Sequence, residues 1–548
     1  VRLLKLTKTK NYMTFKTLAL LFATIFGLLC APSQAQDTQL GKVEFQTSGS
    51  KPAQAHFLRG LAALHSFWYE EALEAFRDAT KADPEFMMGY WGEAMSHNHP
   101  LWTEQDTAAA RIVVKKIQDI PKLSARERAY LDAVKLLYGE GDKRSRDSAY
   151  SAAMEKIYRD YPDDLDAAAF YSLSLLGMVR SEEKSYRLQA RAGAIALEVY
   201  QKNPDHPGAA HYIIHAFDDP EHAIIALPAA RRYAGIAPAA HHARHMPSHI
   251  FLQLGMWPEA AASNESAWEV SDSWMKQKNL SPSVRDYHSL HWLLYVYLQQ
   301  GRYRKAEELL SLMKKTMSET PYENKLRPGY YENNYANMAA AFVVETERWN
   351  LANTLFAGAD SSVATGAAMS VHSHGGAPAG NEASTLRTSD RGKRLPIFVR
   401  GMAGALKGTL AAEEAAASPN IGELEVLAVA ASVKGDHDKA LKLIREAVSQ
   451  EEKLGPPSGP PGLIKPSHEL FGELLMRAGK PAEAIEQFKT SLLRQPNRAR
   501  SLIGLARAAT QAGDKVTAEA SYKQLLAQWH QADPELPELK EAKDYLKQ

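Results

Sequence analysis

Three stretches of this chain carry the same small and aromatic residues at the same spacing, which constrains the fold more than any other feature. Ala53 to Phe86 holds Gly60, Ala72, Phe76, Ala79 and Pro84. Lys465 to Arg498 repeats this with Gly472, Ala484, Phe488 and Pro496, and the unit starting 34 residues later has Ala506, Ala518 and Tyr522. Small residues at fixed places let two antiparallel helices touch, and proline closes each unit. One such hairpin cannot bury its apolar face alone, so successive units must stack. Gly479 and Gly513 mark the turn between the helices of the last two units.

The spacing resembles the tetratricopeptide repeat. Weaker copies are readable in the middle. Gly255 and Ala260 place a repeat from His241, Gly301 and Ala306 another from Tyr287, and Trp349 with Ala352 a third from about Asn333. Asp205 to Arg232 reads as a helix pair joined by a tight DDPEH turn. Strand signals are nearly absent, so the expected fold is all-α: a right-handed superhelical solenoid of tetratricopeptide-like helix hairpins. The expected organisation is 36–357 as the N-terminal and central solenoid, 358–394 as a flexible Gly/Ser/Ala-rich loop, and 395–454 as helical repeats. A Pro/Gly linker at 455–466 and C-terminal repeats at 467–548 complete it.

Residues 1–35 read as an export signal. Lys5, Lys8, Lys10 and Lys16 precede an apolar run from Thr17 to Cys30, and Ser33-Gln34-Ala35 supplies small residues before a cut ahead of Gln36. Export to the periplasm or outside the cell is therefore expected. A lipoprotein cut at Cys30 is disfavoured by the bulky Leu28 and Leu29 before it. No transmembrane helix is expected in the mature chain. Cys30 is the only cysteine, so a mature chain would have no disulfide, thiolate metal site or cysteine nucleophile. A net charge of +1 gives no electrostatic case for nucleic acid.

Ten of the 19 histidines fall between His206 and His291, eight of them in HYIIH, HHARHMPSH and YHSLH. Histidines three or four apart on a helix share a face, and imidazole is the commonest transition-metal ligand. If these repeats follow the tetratricopeptide register, the first helix of each lines a concave groove. In the repeat from His241, His242, His245 and His249 then fall at groove positions, within about 60° of one another. His288 and His291 occupy equivalent places in the next repeat, and His211 and His215 lie on the preceding helix. The most economical single site combines His242, His245 or His249 with His288 or His291, with His211 and His215 as second candidates. Zinc or copper suits such a set, and iron less so. Asp218, Asp219, Glu221 and Asp286 could act as carboxylate ligands or orient the imidazoles.

The competing reading is a polar groove for a peptide or partner protein. Asn334 and Asn337 would hold a backbone there, and Trp292 and Asp286 would add contacts. His65 and other scattered histidines read as scaffold, and His206 as a solvated helix start. His372 and His374 lie in the 358–394 loop. No phosphate loop, dinucleotide fingerprint, GxSxG elbow or HExxH is present in convincing context, so binding is expected ahead of catalysis. A metal-dependent hydrolase or oxidase is the third reading. The runs HMPSHIFLQLGMWPEA and AAHYIIHAFDDPEHA resemble a subgroup of exported bacterial tetratricopeptide-repeat proteins. That resemblance implies export and a binding or scaffolding role, without naming a reaction.

Overall fold

The repeat positions predict where helices turn, and the backbone follows them. In each repeat the turn falls fourteen residues after the first position, where the chain takes left-handed φ. Gly255, Gly301, Gly479 and Gly513 do so at 65°, 68°, 70° and 78°. Glycine is the default residue there because it has no Cβ to clash. Two repeats break the rule. Phe67 takes φ 53° in the repeat from Ala53, and Glu347 takes φ 54° in the repeat from Asn333.

A computed structural model describes residues 39–102, 104–179, 185–324, 327–357, 381–410, 419–455, 457, 459–460 and 464–547. Antiparallel helix pairs follow one another through Leu40–Gln548. Lys51–His65 packs on Tyr69–Ala82, Leu165–Gly177 on Arg187–Lys202, and Pro207–Ala216 on Ala223–Ile236. Next come His241–His245 with Pro247–Gln253, a nearly continuous first helix packed on Trp257–Gln277. Tyr287–Gln299 with Tyr303–Glu319 follows. Further hairpins end with Ser467–Arg477 on Pro481–Arg494 and Ala499–Ala512 on Lys515–Gln528. The strands among the described residues are the two-residue pair Asn98–His99 and Glu104–Gln105. The fold is the all-α solenoid expected. No helix among the described residues is long and apolar enough to cross a membrane.

Three boundaries need comment. Residues 1–35, the expected export signal, lie outside the described residues, as does 358–380 with His372 and His374. The helix Asn381–Leu406 begins inside the segment 358–394 expected as a loop. The Pro/Gly stretch 455–466 is more than a spacer, because Pro457 accepts a hydrogen bond from Gln253 Nε2 at 2.9 Å across the molecule. Gly459 lies so close to the Trp292 ring that a Cβ would sit 2.5 Å from it.

Two apolar cores fill the solenoid. One runs from Phe45 to Ile250 and takes in Trp274, and the other runs from Phe251 to Ala542. The Pro247–Gln253 helix carries residues of both. The seam between the cores is where the histidines collect.

Candidate metal centre

Helical periodicity aims His211 and His215, one turn apart on Pro207–Ala216, at His242 on the neighbouring first helix. His211 Nε2 lies 3.0 Å from His215 Nε2 and 3.2 Å from His242 Nε2. His211 Nδ1 faces the His65 carbonyl at 2.7 Å. A carbonyl only accepts, so Nδ1 holds the hydrogen and Nε2 presents a lone pair. All three rings are buried. Burial depresses the His211 imidazole to about 3, and also pushes His242 well below its ordinary value, so both are neutral at physiological pH.

The same broken helix supplies a second set. His245 Nε2 and His249 Nε2 face each other at 3.1 Å, and the half-buried His288 joins them with its ring 4.6 Å from that of His245. In each set, one nitrogen or more from every member lies within 4.8 Å of the others. The outer nitrogens are committed. His245 Nδ1 donates to Asn264 Oδ1 at 2.6 Å, an orientation fixed because Asn264 Nδ2 donates to the Ala260 carbonyl. His249 Nδ1 donates to Asp218 Oδ2 at 2.6 Å, and Gln253 Nε2 donates to the other oxygen of that carboxylate. With both rings neutral, two inward lone pairs confront each other at contact distance. A cation between them turns that repulsion into ligation.

The geometry suits an ion. At metal–nitrogen distances of about 2.0–2.1 Å, the nitrogen pairs 3.0–3.2 Å apart subtend roughly 90–105°, angles that an ion's coordination accepts. The two sets are adjacent. His215 and His249 rings lie 5.8 Å apart between centroids, and His242 and His245 rings 6.0 Å apart.

The single shared site anticipated from the sequence is thus two. His242 joins His211 and His215 rather than His245, because the helix turns it toward the preceding hairpin. His291 belongs to neither set. Asp286 caps the helix Tyr287–Gln299 and pairs with His241 Nδ1 at 3.2 Å instead of pointing at a ligand. Although burial alone would raise the Asp286 carboxyl, the His241 hydrogen bond holds it well below the usual carboxylate range. Asn334 and Asn337 donate to the backbone carbonyls of Tyr330 and Asn333, one turn back on their own helix. Trp292 lies against His249, 4.1 Å between centroids.

The open groove expected here is closed. Phe67, carried on the strained turn, lies 4.3 Å from the His211 ring and stacks on His215 and His242. Trp102 packs edge-on to His242, while Trp292 and Gly459 cover the other end. His206, expected as a solvated helix start, is buried, as is His65. His65 Nε2 lies 2.8 Å from Asp166, which His206 also approaches, and His65 Nδ1 meets the Tyr212 hydroxyl.

Two supporting residues were missed from the sequence. Asn264 had a signal, since it stands at the repeat position that holds Phe76, Phe488 and Tyr522 elsewhere. A polar residue at a core aromatic position asks for a buried partner. The His65 carbonyl had none, because backbone contacts between distant repeats leave no trace in side-chain pattern.

Tetratricopeptide-repeat family models match residues 53–86 and 470–537. The chain carries tetratricopeptide repeats. No curated protein matches it. Among solved structures it is similar to yeast Tom70, at 12% identity over 91% of this chain and 89% of that one, with a TM-score of 0.28. It is also similar to the APC/C hetero-tetramer Cut9–Hcn1, at 12% identity, 96% and 82% coverage and TM-score 0.34. The human IFIT1 dimer with m7Gppp-AAAA gives 14% identity, 87% and 91% coverage and TM-score 0.31. At these scores nothing about function follows.

Proposed function

We propose that this solenoid is a metal-binding protein holding zinc or copper in two three-histidine sets at the seam of its cores. The observation that carries the reading is the pair His245 Nε2 and His249 Nε2 at 3.1 Å, each with its other nitrogen already donating. A shared proton is the alternative. It is opposed by burial, which depresses His245 and penalises an imidazolium there. The lysine-flanked apolar run ending at Cys30 supports export, so the metal would be taken up outside the cytoplasm.

Metal analysis of untagged protein purified without chelator tests the reading. The wild type is expected to carry about two ions per chain, and His245→Ala about one. Protein with no stoichiometric metal, and no zinc or copper binding in titration, would overturn it.

Solenoids of this kind also suit protein partners. Ile224 and Ile225, 60% and 45% exposed on the outer helix of the Pro207–Ala216 hairpin, favour such a contact away from the histidines. A partner captured by the wild type and lost on Ile224→Asp, but kept in the presence of chelator, would support this second role.

A further inference from the structure

The two sets share a helix, a wall and a pattern of charge, and these decide which ion and which small ligand they suit. None of the six ligand groups is a carboxylate. Behind them stand a backbone carbonyl, a carboxamide and two acids, Asp218 on His249 Nδ1 and Asp286, whose charge also acts on His245 and His288. Two divalent ions would place four positive charges in a buried site with two nearby negative charges, a large desolvation penalty. Two monovalent ions halve that charge. Among the metals that imidazole favours, copper is the one with a stable monovalent state.

We infer that the six histidines form one dicopper centre that binds dioxygen between its ions, an inference that rests on the metal reading above. Each set caps one ion and leaves it an open position. Cross-set ring separations of 5.8 Å and 6.0 Å keep the two ions neighbours. On binding, each Cu(I) gives up one electron and dioxygen accepts both, forming bridging peroxide between two Cu(II). The charge of the ions and ligand together is +2 before and after. The change therefore brings no new charge into the buried site.

The enclosure fits an apolar gas better than a polar substrate. Phe67 forms one wall of the first histidine set, and also lines a cavity of about 30 Å³ with Leu64, Met95, Phe170 and Leu173. That cavity has room for a small molecule and is mostly apolar. Phe67 stands where most other repeats have glycine, in a left-handed conformation that strains a bulky side chain. Such strain persists where the side chain has work to do, and this ring separates cavity from metal ligands.

Full-length protein is loaded anaerobically with Cu(I), assayed for copper, then exposed to dioxygen. Expected are about two coppers per chain, an intense new peroxide-to-copper absorption, and no Cu(II) paramagnetic resonance signal because the two spins couple. His288→Ala is expected to lose about one copper and all of the absorption band, and His215→Ala does the same from the other set. Two coppers per chain that oxidise to ordinary paramagnetic Cu(II) without the band would overturn the dioxygen centre and leave the metal reading standing. Tight zinc binding without copper binding would do likewise. Absence of any bound metal would remove both.

Discussion

Two buried polar clusters in this molecule look alike in a burial map and differ in how their groups are satisfied. In the C-terminal core, Arg498 is fully buried and each end of its guanidinium meets an acceptor. It pairs with Glu469 at 2.7 and 3.1 Å, with Glu345 at 2.7 Å and with the Tyr295 hydroxyl at 3.0 Å. Lys465 and Ser501 complete the Glu469 carboxylate. Burial alone would raise that carboxyl, but Arg498 and Lys465 hold it well below its usual range. Donors there meet acceptors and charges cancel, so the cluster is complete as it stands. At the histidine seam the outer nitrogens of His211, His245 and His249 are hydrogen-bonded, and the inner nitrogens of each set converge on one another. A satisfied cluster fixes a structure, whereas one whose lone pairs converge is prepared for a ligand.

The largest expected difference is in stability. Arg498→Met leaves Glu345 without its buried cation and Glu469 with Lys465 alone, and breaking such a network costs about 3–5 kcal/mol. Urea unfolding should show that loss, while metal content stays at the wild-type value. A silent Arg498→Met would mean that the cluster is not the internal brace described here.

Chelation reverses the pattern. Removing metal should leave the Arg498 cluster intact and lower the melting temperature, because an ion bound only to the folded chain stabilises it by mass action. At free metal one hundred times the dissociation constant that contribution is about 2.7 kcal/mol. Calorimetry before and after chelator, with metal restored, measures it. Equal melting temperatures in all three samples would erase the distinction between the clusters.

Acid should sharpen the comparison in metal-free protein. His65 and His211 are neutral and buried, depressed by burial to about 4 and about 3, against about 6.5 in the unfolded chain. Below pH 6.5 the unfolded state binds more protons than the folded one, so stability is full above that value and falls as pH drops toward 4. Each such histidine contributes a slope of up to about 1.4 kcal/mol per pH unit. Carboxylates titrate in every variant, so the informative quantity is the slope in wild type minus that in His65→Gln. An unchanged slope would show that His65 is not held neutral.

How much of this was legible in the sequence follows from what each signal encodes. Repeat spacing reports helix contact within a hairpin, so Gly60 with Phe76 and Gly472 with Phe488 were readable, and so was the solenoid. Histidine spacing reports which side chains share a helical face, so His211 with His215 and His245 with His249 were readable as pairs. It does not report how one helix is rotated against the next, and that rotation sends His242 to one set and His245 to the other. Nor could it show that Phe67 and the Gly459 segment fold back over the seam, because those contacts join residues far apart in the chain. Asp286 looked like a ligand because it is acidic and nearby. A residue at a helix start more often spends its carboxylate on the backbone, as it does here on Ser289 N at 3.0 Å.

The smallest expected effect falls on Asn337, which the sequence placed in a peptide-holding groove. Its carboxamide donates to the Asn333 carbonyl at 2.7 Å, a local bond that leaves the helix itself unchanged when removed. Asn337→Ala also puts the best helix former at an interior helical position, so the lost bond and the gained propensity nearly cancel. The expected change in unfolding free energy is within about 0.5 kcal/mol, with metal content and dioxygen response as in the wild type. A fall in bound metal on Asn337→Ala would extend the centre one repeat beyond His288 and move its boundary away from the seam between the two cores.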